Sequence, residues 1–260
     1  MRGWVCELDG TVIDTHAHLD ALDDDPAAVV ARAAEAGVAR ILTVGTTPAG
    51  CRRALELADA HEGVFAILGI HPHEAGGTTD ADVAEVRELL DHPKAVAVGE
   101  TGLDWYRDYA PRDAQLGLFA RMLAIAAELN KPAVIHTRAA DADTRAALER
   151  FDGRVVLHCF SSPSLLDLAR ERGWYVSFAG NVTFPKAVDL RLAATQVPAD
   201  RILAETDCPY LAPQPVRGRP NEPAYVMHTL AALAQARGEQ PEELERRIDA
   251  NATECFGLPR

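Results

Sequence analysis

Short apolar runs rich in Val and Ile, each followed by an Ala-, Leu- and Arg-rich stretch of helical spacing, recur along the chain and limit its fold more than any other feature. The runs are Thr11 to Ile13, Ala39 to Val44, Val64 to Ile70, Ala95 to Val98, Ala133 to Ile135, Val155 to Leu157, Tyr175 to Phe178 and Ile202 to Ala204. Between them lie helical stretches such as Pro26 to Ala36, Pro48 to Ala60 and Ala114 to Glu128. An apolar run without polar alternation is a strand buried on both faces, and strand then helix, repeated, requires a parallel sheet. Eight such units within 260 residues predict a (β/α)8 barrel, because a doubly wound sheet usually has fewer strands. Two further helical stretches, Pro223 to Arg237 and Pro241 to Ala250, are placed to cover the closed barrel. No linker, low-complexity tract or internal repeat divides the chain, so residues 1–260 read as one barrel domain.

Charge and cysteine usage narrow the function classes. Thirty-nine acidic residues against 26 Lys plus Arg give a formal charge of −13, which opposes tight nonspecific binding to long nucleic acid or to a membrane surface. No apolar run approaches the roughly 20 residues that cross a bilayer, and Met1 to Asp9 lacks the basic-then-apolar order of a secretory signal. Five scattered cysteines, Cys6, Cys51, Cys159, Cys208 and Cys255, suggest neither a disulfide framework nor a thiolate zinc site. A reducing cytoplasm and no obligate protein partner are the expectations.

Ionisable residues follow the apolar runs, at the strand ends where a barrel carries its active site. Asp14-Thr15-His16-Ala17-His18 puts two histidines on alternate positions, so both can point into the barrel mouth. Glu100 follows Val98-Gly99, His136 ends Val134-Ile135, His158 ends Val156-Leu157, and Glu205 and Asp207 follow Ala204, two residues apart and so on one strand face. Four histidines and at least two carboxylates on one rim form a mixed nitrogen and oxygen set suited to one or two divalent cations such as Zn2+, Mn2+ or Mg2+. Buried ionisable groups need partners or a metal, so a purely structural role for all of them is disfavoured.

These residues fall in segments that resemble the TatD family of metal-dependent hydrolases, within the amidohydrolase-like barrels. The segments are Asp14-Thr15-His16-Ala17-His18-Leu19-Asp20, Gly69-Ile70-His71-Pro72-His73, Gly99-Glu100-Thr101-Gly102-Leu103-Asp104, Ile135-His136-Thr137-Arg138, Leu157-His158-Cys159-Phe160-Ser161, Glu205-Thr206-Asp207-Cys208-Pro209-Tyr210-Leu211 and Arg217-Gly218-Arg219-Pro220-Asn221-Glu222-Pro223. The resemblance implies two metal ions, one held by His16, His18, Glu100 and Asp207, the second by Glu100, His136 and His158, with Glu100 as the bridge. It also implies a deoxyribonuclease cleaving phosphodiester bonds at DNA ends, with Asp207 and Glu100 serving catalysis and His71 as a phosphate or third-metal contact. Ser162 stands where the family usually has Gly, and Ala204 and Cys208 differ mildly from its pattern, but no ligand is lost.

Other residues are open at this level. His71, Glu205, Arg138, Arg217 and Arg219 are candidates for substrate contact: an arginine fork suits a phosphate, and Glu205 could instead orient a ligand or bind metal itself. His73 is as well explained by a surface position, and His61, His92 and His228 lie in or beside helical patterns, where they are expected to be exposed and outside any site. Cys159 and Cys208 are expected to point away from the metals as buried filler. Glu7-Leu8-Asp9-Gly10-Thr11 imitates the opening motif of haloacid dehalogenase-type phosphatases, but Glu7 stands at the nucleophile position, where its longer side chain misplaces the carboxylate for in-line attack. The residues by themselves reach only metal-assisted hydrolysis, in which the ions lower the pKa of the attacking water and neutralise charge on the reacting group. Hydrolysis of an ester, lactone or amide is the alternative within enzymes, and a metal-binding scaffold without turnover is the alternative outside them.

Overall fold

The computed structural model describes residues 12–107 and 109–259. Cys6 and the phosphatase-like segment Glu7 to Thr11 lie outside them. Eight parallel strands run in sequence order around the sheet: β1 Val12–Ala17, β2 Val38–Gly45, β3 Val64–Leu68, β4 Ala95–Asp104, β5 Ala133–Arg138, β6 Val155–Leu157, β7 Tyr175–Phe178 and β8 Ile202–Ala204. Helices α1 Pro26–Glu35, α2 Pro48–Ala60, α3 Asp80–Leu89, α4 Arg112–Leu129, α5 Asp141–Leu148, α6 Leu166–Arg172 and α7 Val188–Gln196 connect them, and α8 Val226–Arg237 and α9 Pro241–Phe256 follow. This is the expected (β/α)8 barrel.

Local chemistry explains where the helices begin and end. Asp25 and Thr47 cap α1 and α2, each followed by a proline whose missing N–H costs nothing at that position. Thr79 and Asp82 form a reciprocal capping box on α3. Gly173, Gly238 and Gly257 end α6, α8 and α9 in the left-handed conformation that glycine adopts without strain. Along α9, Leu244, Ile248, Ala252, Cys255 and Phe256 share one buried face, which packs on β1 and β8. Burying each of the larger apolar side chains contributes about 2 kcal/mol.

The barrel closes between β8 and β1 through a short seam rather than a full ladder. Asp207 N–H donates to the His16 carbonyl (2.9 Å), and His18 N–H donates to the Cys208 carbonyl (2.8 Å). Below them Thr15 Oγ1 donates to the Ala204 carbonyl (3.0 Å) and meets Ser177 Oγ.

Strands β1, β4 and β5 run further than their apolar runs, into the polar residues of the site. Two of these extensions contain an extra residue. Asp14 pairs with Ile41 and Ala17 with Thr43, and Val98 pairs with Ala133 and Thr101 with Ile135, so β1 bulges at Thr15–His16 and β4 at Gly99–Glu100. A bulge breaks the two-residue alternation and re-aims the side chain that sits on it.

Candidate metal centre

At the carboxyl ends of the strands a cavity of about 700 Å3 opens to solvent, with Glu100 in its floor. The two carboxylate oxygens of Glu100 face different neighbours. Oε2 lies 3.5 Å from His16 Nε2 and 3.7 Å from His18 Nε2, and Asp207 Oδ1 lies 3.9 and 3.5 Å from the same two nitrogens. Oε1 lies 2.7 Å from His136 Nδ1, 2.9 Å from His158 Nε2 and 3.4 Å from His71 Nε2.

On the first side, positions are set by the backbone seam. Asp207 has a φ of 55°, a left-handed conformation that costs energy in a non-glycine residue and is held by its N–H bond to His16. Behind it the fully buried Asp14 accepts from the Thr206 N–H (2.8 Å), with its other oxygen 2.5 Å from Thr206 Oγ1. Burial pushes the Asp14 carboxyl up to about 8, against the lowering effect of those bonds.

On the second side, carboxylates orient the histidines from behind. Glu205 is fully buried, takes the Nδ1–H of His158 (3.2 Å) and the Cys159 N–H (2.7 Å), and so leaves His158 Nε2 facing the cavity. Asp104 lies 2.8 Å from His73 Nε2 and 3.4 Å from His136 Nε2, and also accepts the N–H groups of Tyr106 and Arg107. Gly102, between Glu100 and Asp104, has a φ of 142°, and a Cβ there would sit 2.0 Å from the His136 carbonyl oxygen. Only glycine allows β4 to approach β5 this closely.

The protonation states follow from these contacts. Burial lowers His16, aided by the positive charge of the stacked His158 ring, 4.0 Å away, so His16 stays neutral. His71 falls to about 4 through burial. Its Nδ1 accepts the His73 N–H (3.2 Å), so the proton of the neutral ring is on Nε2, which faces Glu100 as a donor. For His18, burial opposes the cation, but the Asp207 and Glu100 carboxylates together outweigh it and raise the pKa. Burial likewise works against the charges of Glu100 and Asp207, yet the surrounding histidines hold both carboxyls below their usual range.

Three overlapping donor sets have atoms within 4.8 Å of one another: His16, His18 and Asp207; His16, Glu100 and His158; and His71, Glu100 and His136. Four ligands about 2.1 Å from a tetrahedral ion stand about 3.4 Å apart, close to the spacings around His16 and His18. Among the described residues both ring nitrogens of the buried His16 lack a hydrogen-bond partner, a costly arrangement in a protein interior that a divalent cation on Nε2 would relieve. The residues present therefore fit a metal ion.

All six expected ligands, His16, His18, Glu100, His136, His158 and Asp207, converge here. Several other expectations change. Glu205 does not share a strand face with Asp207, because β8 ends at Ala204; fully buried, it acts through His158 and Cys159, as the orienting one of its two readings has it. Cys159 is not filler facing outward: β6 ends at Leu157, Cys159 has a φ of 44°, and it lines the cavity. Cys208 is fully buried, as expected. Arg138 lines the cavity, whereas Arg217 and Arg219 do not; they are exposed, and Arg217 stacks on Phe184 at 4.0 Å. His73 is a half-buried wall residue bonded to Asp104, and His61, His92 and His228 lie outside the cavity, half-buried rather than exposed. Asp14, Asp104 and Arg107 were missed as contributors. For Asp104 the spacing of four from Glu100 on one strand was the available signal.

Comparison with known proteins agrees with this geometry. The family model described as TatD related DNase matches residues 13–257. The uncharacterized metal-dependent hydrolase YabD of Bacillus subtilis is 38% identical over 255 residues, covering 95% of this chain and 99% of its own. A Cronobacter sakazakii protein named 3'-5' ssDNA/RNA exonuclease TatD is 38% identical over 245 residues, 90% of this chain and 92% of its own. The crystal structure of the TatD homolog YjjV from Escherichia coli K12 superposes with a TM-score of 0.91 at 30% identity, covering 96% of this chain and 99% of that one. The chain belongs to the TatD-related DNase family and is a metal-dependent hydrolase.

Proposed function

We propose that the protein is a nuclease that hydrolyses phosphodiester bonds at the ends of DNA strands, with two divalent cations held on either side of Glu100. The observation that carries this reading is the division of the Glu100 oxygens between two histidine groups at the base of a cavity with arginines on its wall. His16, His18 and Asp207 with Glu100 would hold one cation, and Glu100, His136 and His158 the other. When bound, the cations supply Lewis-acid neutralisation of a phosphoryl group and lower the pKa of water. Their identity among Zn2+, Mn2+ and Mg2+ is left to experiment.

The chain's own groups have distinct tasks. The Asp207 carboxylate, ionised and lining the cavity, accepts the proton of the attacking water on the oxygen not given to the cation. His71 Nε2–H is a neutral donor suited to a phosphoryl oxygen, so His71 is a substrate contact rather than a third-metal ligand. Arg138 and Arg107 at the wall suit the phosphates of a strand, and their small number agrees with a chain of net charge −13 that grips few phosphates. The name of the Cronobacter sakazakii relative supports the same direction, and single-stranded DNA or RNA would be the class of strand. No helix of the described residues is long and apolar enough to cross a membrane, and the described cysteines Cys51, Cys159, Cys208 and Cys255 are unpaired, in keeping with a reducing cytoplasm.

The test is a metal-supplemented assay of end-labelled single-stranded DNA beside a panel of esters and lactones. Shortening of the DNA from an end, with slow or no turnover of the panel, is the expected result. Turnover of a lactone or ester with intact DNA would move the assignment to carbonyl hydrolysis.

A further inference from the structure

Among the described residues, six large hydrophobic side chains are exposed, and the three aromatic ones, Tyr106 (63%), Tyr109 (64%) and Tyr210 (56%), all stand by the metal-site cavity. Scattered exposed apolar residues need no explanation, but three ring faces around one opening do. Tyr109 contacts His73 edge-on (centroids 4.8 Å apart), on the His136 side of Glu100. Tyr210 contacts His18 edge-on (5.9 Å), on the Asp207 side. Both line the cavity, so they flank the two halves of the centre.

Cations accompany the rings. The Arg138 guanidinium lies 4.0 Å from the Tyr106 ring, and Arg107 lies 5.6 and 5.9 Å from the rings of Tyr106 and Tyr109. Both arginines line the cavity, and among the described residues no carboxylate comes within ion-pair distance of either. They are the two arginines of a lining that also holds the carboxylates Asp20, Glu74, Glu100, Asp104 and Asp207.

The rings are also held in place. Asp104 accepts the N–H groups of Tyr106 and Arg107, and the buried Gln115 donates to the carbonyls of Ala110 and Asp104 while accepting the Asp104 N–H. Tyr106 and Arg107 are thus tied to the carboxylate that also orients His73 and His136, and Ala110 is tied through Gln115 to the Asp104 main chain. Tyr210 N–H donates to the Asp207 carbonyl, and Asn221 Nδ2, fully buried, donates to the carbonyls of Thr206 and Tyr210. Rings fixed in this way bind a flat partner with little loss of freedom.

We infer that Tyr109 and Tyr210 are stacking platforms for unpaired nucleobases on either side of the phosphate that reaches the metal centre, with Arg107 and Arg138 taking neighbouring phosphates. This rests on the nuclease reading above and adds to it the feature that selects single strands. A base inside a duplex has both faces covered by its neighbours and reaches a platform only after unstacking, which costs energy that a free end does not spend. Stacking accepts any base, so the selection is for strandedness and not for sequence.

The experiment measures binding by the metal-loaded full chain of a short fluorescent single strand carrying phosphorothioate linkages at its end to resist cutting. A matched strand has abasic sugars at the two terminal positions. Wild-type protein is expected to prefer the base-bearing strand by at least about tenfold, and Tyr109→Ala or Tyr210→Ala to reduce that preference by about fivefold or more each. Tyr109→Phe and Tyr210→Phe keep the ring and should keep the preference. Equal binding of the two strands by wild type, or a preference that survives both alanine variants, overturns the platform. The unmodified strand is assayed for cleavage in parallel. Base-dependent binding without cleavage would overturn the nuclease reading and leave the platform standing, whereas cleavage without base preference would do the reverse.

Discussion

The two sides of Glu100 solve the same problem differently. His16, His18 and Asp207 come from chain segments that meet at the β8–β1 closure, and main-chain bonds between those segments fix their spacing. Among the described residues no hydrogen bond holds the His16 ring, whose Nε2 lies 3.5 and 3.9 Å from two carboxylates. His136 lies on β5 and His158 just past the end of β6, paired neighbours joined there by the His158 N–H bond to the Ile135 carbonyl (3.3 Å), and each ring is in addition oriented by a carboxylate behind it, Asp104 or Glu205. Main-chain bonds space both sides, and the second adds side-chain relays behind its histidines, so damage to each should have a different signature.

The largest effect should come from the residue the two sides share. Glu100→Ala is expected to lose both ions and to lower activity by more than about a hundredfold with the barrel intact, because one carboxylate serves both groups. Metal analysis beside circular dichroism checks this, and full occupancy in the variant would remove the bridging assignment. Next, His18→Ala and His136→Ala should each reduce the metal content toward one ion per chain, on opposite sides. If either variant lost both ions, the two sides would not be separable units.

A smaller loss is expected from the relays. Asp104→Asn and Glu205→Gln should weaken metal binding about ten- to a hundredfold on the His136/His158 side alone. Calorimetric titration would resolve the two sites, and an equal loss on the His16/His18 side would contradict the division. The last effect is on stability rather than on metal and concerns Asp14. Its carboxyl is held near 8 in the folded chain against 3.8 unfolded, so between those values the folded state keeps a proton that the unfolded state releases. Stability must then fall as pH rises from about 4 to 8, with the Asp14 contribution levelling off above. In Asp14→Asn, the amide replaces the protonated carboxyl and this slope should vanish. Parallel melting curves for wild type and variant across that range, both in chelator, would refute the assignment.

How much of this was legible in the sequence depended on the same contrast. Strands buried on both faces leave unbroken apolar runs, so the barrel and its strand order could be read directly. The ligands could be found because each follows such a run. What alternation could not give was direction after a strand ends or bulges. It paired Glu205 with Asp207 and turned Cys159 outward, whereas the left-handed turns at Cys159 and Asp207 decide both. Arg217 and Arg219 seemed equivalent to Arg138 because loop paths beyond β8 have no periodicity to read. Asp104 and the tyrosines of the mouth act through contacts with residues distant in sequence, and no local pattern marks them.

The central claim is that Glu100 divides one metal centre into two. Crystals soaked with Mn2+ or Zn2+ and measured for anomalous scattering test it most directly. Two peaks are expected, one among His16, His18 and Asp207 and the other between His136 and His158, with a Glu100 oxygen on each. A single peak, or a pair with Glu100 bonded to only one, would contradict the account.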